Sequence, residues 1–399
     1  MALVSDTSPP PTRATAALKP PKAWRTRNLS LDRTRTFLTL LVLIHHAVIP
    51  YTHFGHTDGA SWLGFDFIVL ATDSFFMAMF FFLSGLFLWP SLSHRAPGVF
   101  ARDRLVRLGI PFAVAAVTII PIAYYAIALR ENDGLSFTAF WWKTITVGPW
   151  PSGPLWFLWV LLIYSVVGGA MCRLFPHCLT PITRLSERGM NRPMLVFAVF
   201  VVIAIVIYVP LRVWLGPNHW FEFGPFSVQE SRFLLYAAYF FLGAGIGAGD
   251  LEDGVLSSDS RLAHEWSHWA LASLVPYGAM WVLIIIKREI LGNPDQLPNW
   301  YEINYGIAYV LFSTSIIFAI MGFFLRFQRG GWSILDPLQN DAYGIFLVHY
   351  AYMMWLQYWL YSYNLSAITK ATIVFVLALL LSWVTTIALR RIPGSYRVL

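Results

Sequence analysis

Charge is what this sequence has least of. Asp, Glu, Lys and Arg make up 12% of its 399 residues, where a soluble globular domain carries about 25%. So few charges cannot cover a water-soluble fold of this size, which excludes soluble enzyme folds and disordered scaffolds alike. Cysteine is almost missing as well. Cys172 and Cys178 are the only two, too few for a secreted disulfide framework. With Arg173 and His177 between them they would make a weak metal pair, and two reduced thiols at a helix end is the simpler reading. No internal repeat is visible, which weakens a transporter built from inverted halves. Nor is there a short apolar core with a cleavage site near Met1, so the start does not read as a signal peptide.

Apolar residues fill the space left by charge. The chain is 57% hydrophobic and 17% aromatic, with a mean hydropathy of +0.59. A transmembrane helix needs roughly 20 mostly apolar residues, and ten such runs are present: 36–53, 66–90, 108–129, 154–175, 193–215, 231–249, 266–287, 301–326, 340–362 and 368–390. The expected fold is an all-α membrane protein, a polytopic bundle of about ten transmembrane helices in a lipid bilayer. Residues 1–34, with Pro9–Pro11, Pro20 and Pro21, read as a disordered cytoplasmic tail. Residues 35–391 form the membrane domain, and 392–399 a short cytoplasmic tail. With both termini inside, 21 of the 28 Lys and Arg fall on inner segments, the sense the positive-inside rule requires. The net charge of +7 therefore orients the protein in a membrane, and no nucleic-acid partner is expected.

Ionisable groups within membrane helices are costly and serve as functional candidates by default. The run RNLSLDRTRTFLTLLVLIHHAVIPY carries Asp32, Arg35, His45 and His46. Arg35 and His46 are eleven residues apart, close to three full turns, so they share a helix face about 16 Å apart. His45 points roughly 80–100° away. In RDRLVRLGIPF, Arg104 and Arg107 form an i, i+3 pair beside Arg102, suited to phosphate capture at the membrane surface. Ser84-Gly85, after a run of phenylalanines, reads as a close-packing point. Glu230 and Arg232 open the sixth run, either as a pair or as an acceptor-binding group. His53, His56 and Asp58 fall in a short outer loop, where surface exposure is a sufficient account.

The segments LDRTRTFLTLLVLIHH, FFFLSG, RDRLVRLGIPF, GPLWFLWVLLIYS and DAYGIFLVHY together resemble the acyltransferase-3 family of integral membrane O-acyltransferases. The likeness is closer to the branch that includes glucan succinyltransferases, and it spans most of residues 29–390. It implies that Arg35 and His46 are essential and that Arg104 and Arg107 match the family's RxxR motif. Tyr343 and His349 match a late Tyr…His pattern. Many members carry an aspartate two residues before the phenylalanine pair; Ala78 stands there, and Asp73 lies five residues earlier. The implied activity moves an acetyl- or succinyl-type group from cytoplasmic acyl-CoA to a hydroxyl of a carbohydrate or glycolipid at the outer face of a bacterial inner membrane. No metal is expected. In that scheme Arg104 and Arg107 hold the CoA phosphates, His46 is the general base, and Arg35 binds donor phosphate or steadies the thioester.

Two alternatives come from other classes. Intramembrane His, Arg and Asp also serve proton-coupled transport. His264-Glu265-Trp266-Ser267-His268 matches the HExxH zinc-protease pattern, with Asp336 as the loosely similar further ligand.

Overall fold

In the computed structural model, residues 28–151, 153–294, 296–328, 331, 333–395 and 398 are described. A helix occupies each of the ten predicted runs, and the fold is helical apart from one short hairpin. In chain order the principal helices are α1 (Leu29–Val48), α2 (Leu63–Leu86), α3 (Pro97–Arg130), α4 (Phe137–Thr146), α5 (Trp156–Leu174), α6 (Thr180–Gly189) and α7 (Pro193–Leu215). They continue as α8 (Glu230–Gly247), α9 (Trp266–Ile285), α10 (Asn299–Arg326), α11 (Ala342–Leu360) and α12 (Ala367–Arg390). The short helices α4 and α6 lie in the segments between predicted runs. The hairpin pairs β1 (Trp220–Phe223) with β2 (Phe226–Gln229), antiparallel, with Trp220 opposite Gln229. Gly224 takes its tight turn at φ 55°, a backbone region open to glycine without steric cost.

Among the described residues, seven helical segments are long and apolar enough to cross a membrane. They contain α2, α3, α5, α7, α9, α10 and α12. The three others, α1, α8 and α11, are 20, 18 and 19 residues long, so each rises about 27–30 Å. They have the length and fall short in hydropathy, because they carry the polar groups of the interior. α9 and α12 are each 22% buried over their most apolar stretch and lie at the periphery, whereas α10 is 72% buried and lies at the centre. The protein is a multi-pass membrane protein.

α1 begins at Leu29, so residues 29–34, expected in the tail, are helical, and the first run ends earlier than 53. The polar start is buried because it satisfies itself. The Asn28 side chain caps Leu31 N, as N-cap residues do. Thr34, Thr36 and Thr39 each donate their hydroxyl to the carbonyl four residues back. Arg33 is buried against Asp336, its Nε 2.8 Å from Oδ1 and its Nη2 2.9 Å from Oδ2, and this ties α1 to the segment before α11.

α2 and α8 run side by side in the same direction with their backbones in contact. A methyl group on Gly85 would strike the Phe240 carbonyl, one on Gly243 the Phe82 carbonyl, and one on Gly247 the Leu86 carbonyl. Glycine is required at these positions by close approach, the arrangement small residues permit between membrane helices. The close-packing point read at Ser84-Gly85 is half of this seam.

Candidate active site

The glycine seam sets the register of α2 and α8, and three turns from Gly85 that register brings Asp73 of α2 against Arg232 of α8. Arg232 Nη2 lies 2.8 Å from Asp73 Oδ2 and its Nη1 3.1 Å from Oδ1, a bidentate, charge-assisted pair. The guanidinium also sits 5.0 Å from the centre of the Tyr309 ring. Arg232 and Glu230, offered by the sequence as a pair with each other, each meet another partner: Arg232 is taken by Asp73. Glu230 instead meets His219 Nδ1 at 3.1 Å.

Asp73 and Arg232 line a cavity of about 760 Å³ with His45, His46, Tyr124 and Tyr350. Its floor includes Val42, Phe76, Met77 and Phe346, and its mouth is built from the segment around α4 and from the hairpin. His46 is near the end of α1. Asp73 is ten residues into α2, about 15 Å along its axis, so the same level is close to the middle of α2.

Three imidazoles meet here. The His46 ring centre is 5.5 Å from His349, 5.4 Å from His45 and 5.3 Å from Tyr350. His349 is fully buried, and its Nδ1 is 2.6 Å from the Phe346 carbonyl oxygen. A carbonyl only accepts, so Nδ1 carries the hydrogen and Nε2 is an acceptor; that atom is buried with no partner among the described residues. His45 Nδ1 lies 2.7 Å from Thr72 Oγ1, which already donates to the Ile68 carbonyl at 2.7 Å. Thr72 must therefore accept, and His45 Nδ1 also carries its hydrogen. His45, placed by periodicity on another face from His46, lines the same cavity. Gln357 Nε2 donates to the His46 carbonyl at 2.9 Å and fixes the last turn of α1 against α11.

The arginines lie at the other end of α1. Arg35 stacks on Phe87, 3.9 Å from the ring centre, and lies 3.9 Å from Asp32. Arg104 stacks on Phe100 and reaches Ser91 Oγ at 3.4 Å, within electrostatic reach of Arg107, Arg35 and Arg95. A π-helical turn, Leu105–Gly109, follows Arg104. Arg104 is therefore half-buried and Arg107 exposed, and the two are not the regular i, i+3 pair that the spacing predicts. Such turns are frequent at functional sites. Tyr343 donates its hydroxyl to the Arg107 carbonyl at 2.7 Å, so the Tyr343 and His349 of one motif serve opposite ends. Phe80, Phe157 and Phe346 pack together between the two ends, with ring centres 5.6–6.2 Å apart.

HEWSH does not form a zinc-protease helix. The chain leaves helical geometry at Glu265, φ −100° and ψ 17°, between a short helix Arg261–His264 and α9. Glu265 is held by Arg261, and Asp336, the further ligand considered, is held by Arg33. Among the described residues no three His, Cys, Asp or Glu side chains converge as a metal site.

The family model of the acyltransferase domain (acyltransferase-3) matches residues 28–387. The chain belongs to this family. It is an acyltransferase that moves groups other than aminoacyl groups, and the match runs from the cap of α1 into the last turn of α12. No curated protein and no solved structure matches it.

Tyr124, Tyr350 and Thr72 are not among the candidates the sequence offers, whereas His45 is, on a face expected to point away from His46. The VHY pattern is the available signal for Tyr350. Nothing in the spacing points to Tyr124 or Thr72.

Proposed function

We propose that this acyltransferase moves an acetyl- or succinyl-type group from cytoplasmic acyl-CoA to a hydroxyl of a carbohydrate or glycolipid at the outer face of a bacterial inner membrane, with both termini cytoplasmic. One observation carries the reading. A single helix, α1, has a cluster of arginines at one end and a cavity of imidazoles at the other, about 16 Å away along its axis.

Arg104, Arg107 and Arg35 hold the phosphates of CoA, and the pantetheine arm runs along α1 past Phe80 and Phe346. His46 takes the proton from the acceptor hydroxyl as its oxygen attacks the thioester carbonyl. The tetrahedral intermediate collapses, the C–S bond breaks, and the proton passes to the departing thiolate, so no net proton is consumed. His349 is a positioning residue: its buried ring packs 5.5 Å from that of His46 and holds the base in place at the cavity wall. Imidazole suits this role because it takes up and releases protons near neutrality.

The test is binding of unacylated CoA to the full chain in lipid nanodiscs. Acyl transfer predicts saturable binding that Arg104→Ala weakens by about ten-fold or more, the loss of one charge-assisted phosphate contact. Transport of a small molecule or zinc proteolysis predicts no CoA binding, and that result would overturn the reading.

A further inference from the structure

We propose that the acyl group transferred is uncharged, and that the Asp73–Arg232 pair is what excludes a carboxylate-bearing one. This deepens the acyl-transfer reading and rests on it. A succinyl-type group would bring a carboxylate beside His46, into a cavity walled by protein, where a buried charge needs a paired cation. Among the described residues, Arg232 is the one guanidinium lining that cavity. Both of its terminal nitrogens are committed to Asp73, at 2.8 and 3.1 Å. Its third donor, Nε, is buried and closed off from the cavity. The Nδ1 hydrogens of His45 and His349 are taken by Thr72 and the Phe346 carbonyl.

The unpaired charge at the mouth has the wrong sign for a dicarboxylic acyl group. Glu131, Asp133 and Glu222 line it with Lys143 as the one ammonium among the described residues, and all four are exposed. The floor beneath His46 is apolar, made by Val42, Phe76, Met77 and Phe346. An acetyl-type group meets no desolvated charge there.

The experiment measures displacement of labelled CoA from the full chain in nanodiscs by acetyl-CoA and by succinyl-CoA. The expected result is tighter binding of acetyl-CoA by at least about ten-fold, since an unpaired carboxylate must be desolvated. Asp73→Asn releases the charge of Arg232 and is expected to move the ratio at least about ten-fold toward succinyl-CoA. Equal or tighter binding of succinyl-CoA to the wild type overturns the proposal, and this arm stands even if Asp73→Asn fails to fold. An unmoved ratio in a folded Asp73→Asn protein also overturns it. If neither thioester displaces CoA because CoA itself does not bind, the acyl-CoA reading falls and takes this inference with it.

Discussion

Replacing Gly243 with alanine tests the seam on which the site depends. The added methyl would meet the carbonyl oxygen of Phe82, with the carbonyl carbon directly behind it. Both atoms are backbone within α2, so no side chain can turn away and relieve the contact. The helices must separate or bend, and overpacking of this kind costs typically about 1–3 kcal/mol. Because the obstacle is backbone, the upper part of that range is expected. At roughly 2–4 °C per kcal/mol for a large domain, a cost of about 3 kcal/mol should lower melting by about 6–12 °C. Gly278 of α9 is the control: it is exposed, and a methyl there meets nothing within 4 Å. Gly278→Ala should be neutral or stabilising by up to about 1 kcal/mol through helix propensity. The assay is heating in detergent followed by size-exclusion chromatography with fluorescence detection. A Gly243→Ala protein that melts with the wild type, or no earlier than Gly278→Ala, would refute the backbone-contact argument.

Two further predictions concern charge. Lys370 Nζ lies 3.0 Å from both carboxylate oxygens of Asp58, with both side chains buried. Lys370→Met alone should therefore destabilise by about 3–5 kcal/mol, while Lys370→Met with Asp58→Asn should recover much of the loss; equal melting of the single and double variants would contradict this. If the arginines at the inner end of α1 hold CoA phosphates, CoA affinity should fall steeply with added salt, because screening weakens exposed charge pairs. The salt dependence of binding should be shallower in Arg104→Ala, and identical slopes would contradict that placement.

The helices were legible because lipid leaves a simple requirement: a long apolar run with charges at its ends. Helix α1 shows where that signal weakens. Its first turns look polar in sequence, but their hydroxyls bond to carbonyls four residues back and Arg33 meets Asp336, so the segment is buried and helical. The Asp73–Arg232 pair joins residues 159 apart in sequence, and no periodicity reports such a contact. Its cause lies in the seam of Gly85, Gly243 and Gly247, of which Ser84-Gly85 was visible and the partner strip was not. HEWSH carried the opposite lesson. The residue types fit a zinc motif, but the backbone at Glu265 leaves the helix, and the i, i+4 geometry that the motif needs is lost.

Central to the account is a His46-dependent ester formed on an outer acceptor. Matched cells carrying the wild-type gene, the His46→Ala gene or no gene would be compared by mass spectrometry of envelope glycans, lipids and exported metabolites. The account predicts an alkali-labile acyl addition with the wild type alone, while the His46→Ala protein is present in the membrane and still binds CoA. An identical addition in the His46→Ala cells would contradict the role given to His46. No addition in any fraction of wild-type cells, with the protein confirmed in the membrane, would contradict acyl transfer to such an acceptor.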